Sequence, residues 1–327
     1  MDDLTQTDLS PNRDISFMLA KIAGYYGLSN DKYRRTTYEK AAKNVRDYNQ
    51  QLFSGKDARD NIAGIGESIQ KDIDQYLTTG QIERLNELIK RHGEEFNTTI
   101  DLFLQVHGIG PVKAIELYKE GYRSLSDLRN AIGTSKAITA AIKIGLKWFD
   151  DLQLRIPRTE MDVIIKTINE LFQEDPNLQI MDWEVAGSYR RGEKSSGDLD
   201  LLVSSDTIQM HELVRTLQPI IVDILAQGSK KLMAVIKLDD NLARRLDIRL
   251  FSTYYYPYAL LHSTGSKDFN VLMRNRAIEL GYKLSEYSLC NKETCLPASS
   301  ESDIFKHLGV QEVAPTERTD IKRLTIL

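Results

Sequence analysis

The chain has few cysteines and no long apolar run. Its 327 residues include two cysteines, Cys290 and Cys295, with no histidine near them. Two thiols are too few for a zinc site. No apolar stretch approaches the roughly 20 residues of a membrane-spanning helix, and the acidic N-terminus lacks the pattern of a signal or transit peptide. We therefore expect an intracellular protein, in a nucleus or at a viral replication site, whose cysteines are unpaired thiols.

Basic residues are not in excess either. The 43 lysines and arginines are outnumbered by 47 aspartates and glutamates, so the net charge is −4. The cations are nevertheless clustered, at Lys32-Arg34-Arg35, Arg190-Arg191, Lys230-Lys231 and Arg244-Arg245. Because phosphate contacts depend on local cations, these clusters are compatible with a nucleic-acid partner and predict an affinity that falls with salt.

The apolar pattern changes near residue 155. Before it, a period of 3.6 predicts helices at 15–26, 36–52, 69–79 and 82–91. After it, strands are expected at 183–186, 199–203, 232–238 and 245–251, with helices at 160–172 and 210–217. The end of the chain predicts a helix at 269–280, a hairpin near 286–297 and a helix at 302–308. The sequence therefore predicts a multidomain chain: an all-α region, an α+β region with a mixed sheet, and a small α+β region.

Two segments repeat the order apolar residue, any residue, glycine, apolar residue, glycine. They are Ile62-Ala63-Gly64-Ile65-Gly66 and Val106-His107-Gly108-Ile109-Gly110, and each leads into a predicted helix. Glycine lets the backbone approach a phosphate closely, and a helix N-terminus offers unpaired N–H donors. Two copies predict helix-hairpin-helix motifs that bind the DNA backbone without reading bases. Glycine turns that merely join helices are the structural alternative.

Three aspartates are predicted to meet. Asp198 and Asp200 lie two positions apart at the start of a predicted strand, so they point to the same face. Arg245, Asp247 and Arg249 alternate with apolar residues on another strand. If the two strands are neighbours, three carboxylates converge on a site for Mg²⁺ carrying a triphosphate, which predicts nucleotidyl transfer. A solvated strand end is the alternative explanation of the Asp-x-Asp pair alone.

Longer motifs surround these aspartates. They read Gly-Ser-Tyr-Arg-Arg-Gly at 187–192, Ser-Ser-Gly-Asp-Leu-Asp at 195–200, Arg-Arg-Leu-Asp-Ile-Arg at 244–249 and Thr-Gly-Ser at 264–266. With them the chain resembles the family X DNA polymerases, the DNA polymerase beta type in particular, from about residue 12 to past residue 310. The resemblance implies a template-directed polymerase that adds dNMP to a primer 3′-hydroxyl with two Mg²⁺ ions (or Mn²⁺) held by Asp198, Asp200 and Asp247.

The resemblance also implies a biological setting and a domain plan. It suggests a monomer that uses dNTPs on gapped DNA or a primer-template and fills short gaps, as in base excision repair. The implied parts are a tail at 1–11, a helical 8 kDa domain at 12–91, a DNA-binding subdomain at 92–154, a palm at 155–265 and a nucleotide- and template-binding subdomain at 266–327.

Matching positions imply roles for individual residues. The nucleotide-binding set is Arg155, Ser188, Arg191, Ser196, Gly197, Gly265 and Asn270. The DNA-binding set is Gly64, Gly66, Gly108, Gly110, Arg34, Arg35, Tyr38, Arg245, Arg274 and Tyr287. Na⁺ or K⁺ ions bridging to DNA phosphates would be held by the backbone carbonyls of Ile62, Ile65, Val106 and Ile109.

The chain departs from the family pattern at two places. The family's 8 kDa domain often carries a 5′-deoxyribose-phosphate lyase, but Asp72 occupies the position of its Schiff-base lysine and Ser68 that of a second lysine. Lys71 is the remaining lyase candidate, and a rotation of about 100° is expected to turn it elsewhere. His262-Ser263 replaces the family's Tyr-Phe, so we expect weaker exclusion of ribonucleotides.

Two other functions compete with a templated polymerase. A template-independent nucleotidyltransferase would favour a long loop between Asp200 and Asp247, and the short spacing shows none. A non-catalytic helix-hairpin-helix DNA-binding protein would have no reason to keep three like charges together.

Overall fold

The computed structural model describes residues 12–48, 50–178, 182–239, 241–291 and 293–327, so the predicted tail at 1–11 lies outside the described residues. The chain divides into two compact units, Met1–Phe149 and Asp150–Leu327. None of the described helices is long and apolar enough to cross a membrane.

The described residues of the first unit are helical, as the apolar period predicts. Their helices are α1 (Arg13–Leu28), α2 (Lys32–Asp47), α3 (Gly55–Asn61), α4 (Glu67–Thr79), α5 (Glu83–His92), α6 (Glu94–Leu104), α7 (Pro111–Lys119), α8 (Leu125–Asn130) and the start of α9 (Ala140–Leu152). Leu19, Ile73 and Phe103 are fully buried in one apolar core. Burial of such a side chain contributes about 1.5–3 kcal/mol.

Helix α2 ends earlier than the period predicts. Leu52 is buried in the core but lies outside the helix, and its N–H donates to the Asn12 side chain at 2.8 Å. The apolar residue that extended the predicted helix is therefore buried by the connection to α3, which packs against the same core.

The second unit contains a five-stranded mixed sheet and a smaller three-stranded sheet. Its elements are β1 (Ile156–Pro157), α10 (Arg158–Glu174), a 3₁₀ turn (Pro176–Leu178), β2 (Asp182–Val185), α11 (Gly187–Arg190), β3 (Ser195–Ser196), β4 (Leu199–Ser204), α12 (Met210–Thr216), β5 (Ile221–Gln227), β6 (Lys231–Ile236), β7 (Arg244–Phe251), α13 (Tyr256–Thr264), α14 (Lys267–Glu279), β8 (Lys283–Leu284), β9 (Leu289–Cys290), β10 (Cys295–Leu296), α15 (Glu301–His307) and a 3₁₀ turn (Pro315–Glu317). The larger sheet has the order β2-β4-β7-β6-β5, with β4 and β7 parallel and the other pairs antiparallel.

Side-chain alternation gives the larger sheet two different faces. Leu199, Leu201 and Val203 of β4 belong to the same apolar cluster as α10 and α12. Leu202 belongs to a separate cluster with Ala259 and Leu260 of α13. Because Asp200 alternates with the first set, its carboxylate lies on the α13 face. The predicted fold class is confirmed, with a mixed sheet after an all-α region.

The expectation of unpaired cysteines is wrong. Cys290 and Cys295 are opposite each other on the antiparallel strands β9 and β10, and they form a disulfide. Cellular compartment alone suggested free thiols, whereas the hairpin brings the two Cα atoms to 4.0 Å. The hairpin predicted near residues 286–297 is confirmed.

Candidate active site

The three predicted aspartates lie together at the end of two parallel strands. Asp200 of β4 and Asp247 of β7 are direct partners in the strand register, and Asp198 lies immediately before β4 rather than on it. One oxygen of each carboxylate lies within 4.8 Å of the others. In the part of the chain that the structure describes, this is the only group of three or more Asp, Glu, His or Cys residues placed to share a metal ion.

The like charges of the three carboxylates repel one another, and an arginine offsets part of this repulsion. Arg245 forms an ion pair with Asp198, and its Nε lies 3.4 Å from Asp247 Oδ1. Burial and the neighbouring Asp247 raise the pKa of Asp200 to about 6, against the opposing effects of Arg249 and Lys231. The sequence indicates Lys231 only as part of a basic cluster and does not predict that it lies near the aspartates.

The aspartates fit a divalent cation. Asp247 Oδ1 is buried and accepts no hydrogen bond from any described residue. A Cβ added to Gly197, next to Asp198, would meet no atom within 4 Å, so the backbone there borders open space. Carboxylate oxygens are the ligands that hard divalent cations prefer. The donor set and the orphaned oxygen therefore suit such an ion.

The turn before β3 lies directly against Asp200. Gly187 has φ of 59°, and a Cβ there would lie 2.4 Å from Asp200 Oδ2. No side chain can be accommodated at this position, which explains the glycine. Ser188 Oγ donates to Ser196 Oγ at 2.7 Å, and Ser196 is buried on β3. The backbone at Gly187 thus lies against Asp200, and the bonded pair of hydroxyls belongs to the segments that flank the carboxylates in the sequence.

The predicted phosphate-binding arginines differ in their surroundings. Arg155 is exposed and donates from Nε to Ser195 Oγ at 2.8 Å. Arg191 donates from Nη1 to the Thr264 carbonyl at 2.8 Å. A Cβ on Gly265, whose φ is 64°, would lie 3.5 Å from the same Nη1. Arg191 therefore links the turn at Gly187 to the turn at Gly265.

Asn270 and Arg274 both contact His262 on the preceding helix. Asn270 Nδ2 donates to the His262 carbonyl at 2.8 Å, and Arg274 Nη2 lies 3.2 Å from His262 Nδ1. Burial, Arg274 and Arg249 lower the pKa of His262 to about 3, so the ring is neutral and Nδ1 can accept from Arg274. The sequence did not predict this contact between the two positions. Tyr287 is half-exposed, with its ring centroid 5.7 Å from that of Phe251.

The two glycine hairpins of the first unit have matching backbones. Gly64 and Gly108 both have φ of 87°. Gly66 and Gly110 precede α4 and α7 with φ and ψ of −86° and 177°, and −89° and 175°. A Cβ added to Gly108 would lie 2.9 Å from the backbone of Ala141, so this glycine is tightly packed. A Cβ added to Gly64 would have its nearest atom at 3.9 Å, so Gly64 has more space around it. Four residues are predicted to bind Na⁺ or K⁺ through their backbone carbonyls, and their side chains are buried: Ile62, Ile65, Val106 and Ile109.

Asp72 is buried within a network of donors. Tyr38 donates its hydroxyl to Asp72 Oδ2 at 2.5 Å, and Arg84 Nε donates to the same oxygen at 3.0 Å. Arg84 Nη2 also donates to Ser68 Oγ at 2.8 Å. Lys71 is exposed, yet it lines with Asp72 and Arg84 one polar pocket of about 390 Å³. Lys71 is exposed whereas Asp72 is buried, so the direction expected for the Lys71 side chain stays a prediction.

The other basic candidates of the first unit are engaged by neighbouring groups. Arg34 lies over the Tyr26 ring with its Cζ 5.3 Å from the centroid. Arg35 pairs with Glu39 at 2.7 Å. Both arginines keep partly exposed side chains, whereas Tyr38 is buried and its hydroxyl is occupied by Asp72. The structure therefore leaves the two arginines, but not Tyr38, accessible to a ligand.

Comparisons with known proteins agree with the motifs. Four protein-family models match successive parts of the chain: a helix-hairpin-helix domain at 10–82, the fingers domain of DNA polymerase lambda at 101–153, the DNA polymerase beta palm at 155–253 and the DNA polymerase beta thumb at 259–319. DNA polymerase lambda of Arabidopsis thaliana is 28% identical over 94% of this chain and 62% of its own length.

Two further relatives are similar to a comparable degree. DNA polymerase lambda of Rattus norvegicus is 29% identical over 94% of this chain and 56% of its own length. DNA polymerase/3'-5' exonuclease PolX of Bacillus subtilis is 28% identical over 94% of this chain and 54% of its own length. The chain thus spans less than two thirds of each of these relatives.

Proposed function

Because this chain belongs to the family X DNA polymerases, we propose that it is a template-directed DNA polymerase that adds dNMP to a primer 3′-hydroxyl at short gaps, as in base excision repair. The observation that carries the proposal is the convergence of Asp198, Asp200 and Asp247 on one end of the mixed sheet. Its substrates are gapped or primer-template DNA and dNTPs, and it acts as a monomer.

The three aspartates are proposed to hold Mg²⁺, with Mn²⁺ as a substitute. Bound divalent ions lower the pKa of a primer hydroxyl and neutralise departing pyrophosphate. Asp247 would contribute a buried oxygen that accepts no hydrogen bond from the described residues, and Arg245 offsets part of the negative charge through its ion pair with Asp198. Asp247 is also the proposed acceptor of the hydroxyl proton.

The groups around the aspartates are proposed to bind the nucleotide. Ser188 and Ser196 offer hydroxyls, and Arg191 offers a guanidinium edge to phosphate oxygens. Gly197 borders open space where a phosphate can approach the backbone, whereas Gly187 lets Asp200 lie against the turn. Asn270 is proposed to exchange its bond with the His262 carbonyl for one to the incoming base. Arg155, Gly265, Arg245, Arg274 and Tyr287 keep the roles that the motifs imply.

The first unit is proposed to bind the DNA backbone through its matched hairpins. Gly64, Gly66, Gly108 and Gly110 supply the close approach, and Na⁺ or K⁺ would be held by the nearby carbonyls. We propose the division into parts at 12–91, 92–154, 155–265 and 266–327. No lyase activity is assigned, because Asp72 is buried and paired where a Schiff-base lysine would be needed.

Primer extension on a one-nucleotide gap with Mg²⁺, with and without a 5′-phosphate, tests the proposal. We expect a single templated addition that stops in Asp198→Asn and persists in Glu170→Gln, an exposed control on α10. Addition of any nucleotide to single-stranded primer would indicate a template-independent transferase. DNA binding without extension would indicate a non-catalytic helix-hairpin-helix protein. The described residues between β4 and β7 form α12, β5 and β6, which leaves little chain for a template-replacing loop.

A further inference from the structure

A buried arginine near the end of the chain anchors a network of ion pairs. Arg318 is 1% exposed, and its Nη1 donates to Glu301 Oε1 at 2.7 Å. Its Nε donates to the Val313 carbonyl at 3.0 Å, and its Cζ lies 4.9 Å from the centre of the Phe269 ring. A charge buried this completely is retained only with such partners. Arg318 is therefore held by an acidic side chain, a carbonyl and an aromatic ring.

Glu301 joins Arg318 to the turn that faces the aspartates. Its second oxygen lies 2.8 Å from Arg190 Nη2. Arg190 also donates from Nη1 to Thr264 Oγ1 at 2.9 Å and from Nε to Glu184 at 2.6 Å. Arg190 is the last residue of α11, which begins at the glycine packed on Asp200. The buried ion pairs thus reach the edge of the candidate active site.

The contacts close into a ring. Ser266 Oγ donates to the Arg318 carbonyl at 2.6 Å, and Ser266 follows Thr264 by two residues. The path Arg190, Glu301, Arg318, Ser266, Thr264 therefore returns to Arg190. The ring encloses the Thr264-Gly265-Ser266 turn and holds it against α11 and against residues 318–319, the C-terminal segment.

Thr319 extends the ring to the neighbouring arginine. Its hydroxyl accepts from Arg191 Nε at 3.3 Å and donates to Glu193 Oε1 at 2.8 Å. The Thr264 carbonyl accepts from Arg191 Nη1. Among the described residues, no hydrogen bond is made by Arg191 Nη2. With Nε and Nη1 bonded, Nη2 is the nitrogen of this guanidinium that is left to bind a ligand.

We propose that Thr319, Arg318 and Glu301 are positioning residues that hold Arg191 and the Gly265 turn in place for the triphosphate of the incoming nucleotide. The inference rests on the proposed function, because it assigns a nucleotide to that site. None of the three touches the aspartates, so they act through Arg190, Arg191 and the turn. The C-terminal segment thereby contributes to nucleotide affinity rather than to the chemical step.

Thr319→Val is the decisive variant, because it removes the hydroxyl while keeping the shape of the side chain. We measure the Kd of dATP with Mg²⁺ on gapped DNA with a dideoxy-terminated primer, so that binding is separated from turnover. A lost hydrogen bond to a charged group predicts a rise in Kd of about tenfold. Thr319→Ser should restore the affinity, and the exposed control Thr294→Val should not change it.

Two comparisons separate a positioning role from a merely structural one. In steady state, Thr319→Val should raise the KM for dATP while kcat, DNA affinity and melting temperature stay within about twofold or 2 °C of wild type. In an Arg191→Ala background, Thr319→Val should have no further effect on Kd. Equal losses in both backgrounds, or an unchanged Kd in Thr319→Val, would overturn the inference. Nucleotide binding without any primer extension would instead refute the proposed function and leave this inference standing.

Discussion

Each unit has an aspartate at its candidate site, Asp72 buried and Asp200 partly buried, and the surroundings of the two carboxylates are opposite. Asp72 accepts from Tyr38 and Arg84, so its charge is matched within the first unit. Asp200 faces Asp247 across two parallel strands, and Asp247 keeps an oxygen without a donor among the described residues. The aspartate charge is thus compensated by neighbouring donors at the first site and only partly compensated at the second.

This difference distinguishes a carboxylate that is paired within the protein from one that a ligand can pair. A buried charge costs free energy unless partners compensate it, and the first unit supplies those partners from its own residues. The second unit supplies fewer, and burial with a like charge raises the pKa of Asp200 to about 6. A ligand of opposite charge can complete the second site, whereas the first has no vacancy of this kind at its carboxylate.

The largest expected effect is on catalysis. Asp247→Ala should lower gap-filling turnover by about 10³-fold or more, because it removes a metal-binding oxygen. Removal of a like charge should leave the melting temperature unchanged or raised, since the two neighbouring carboxylates are relieved. Single-turnover extension and thermal unfolding check the two parts. Extension at the wild-type rate would remove the basis of the proposed function.

Asp72→Ala should show the reverse pattern. It leaves the Tyr38 hydroxyl buried and removes the partner of Arg84, so unfolding of the first unit should cost about 2–3 kcal/mol less. Because Arg84 is a third exposed, the loss falls short of a fully buried pair. Denaturant unfolding measures it, with the exposed Asp60→Ala as the control. Stability equal to that of the control would show that the network contributes nothing.

Sequence patterns predicted these two sites to different degrees. Alternation around Asp200 and Asp247 gave the face of each strand, and adjacency of the strands completed the cluster. No local pattern could place Arg318 and Thr319, because Arg191 and Thr319 are 128 residues apart and meet only in the folded chain. The Asp72 substitution was visible, but its pairing with Arg84 depends on the angle between α4 and α5.

The disulfide shows the same limit and gives a third prediction. Cys290→Ser with Cys295→Ser should lower the stability of the second unit by about 2 kcal/mol, since a short loop gains little from a cross-link. Tyr258 donates its hydroxyl to the Leu296 carbonyl at 2.6 Å and should hold the hairpin without the bridge. Thermal unfolding under oxidising conditions checks this. A loss of gap filling larger than the loss of stability would show that the hairpin serves the active site.

A buried hydroxyl without a hydrogen-bond partner among the described residues of the second unit extends the comparison to substrate choice. Ser263 Oγ is buried with no hydrogen-bond partner among the described residues, as Asp247 Oδ1 is. The motifs imply that the sugar of the nucleotide lies against residues 262–263. In that position the small side chain of Ser263 would leave room for a 2′-hydroxyl. The ratio of dGTP to GTP incorporation efficiency should therefore be below about 10⁴.

Ser263→Phe tests that explanation by filling the space. It should raise the dGTP-to-GTP ratio by about tenfold, because the ring excludes the ribose hydroxyl. Ser229→Phe, in the exposed turn between β5 and β6, should leave the ratio unchanged. A ratio already above about 10⁴ in the wild-type chain would show that another group excludes ribonucleotides. The orphaned oxygen at Asp247 would then mark a ligand site, while the orphaned hydroxyl at Ser263 would be a packing defect.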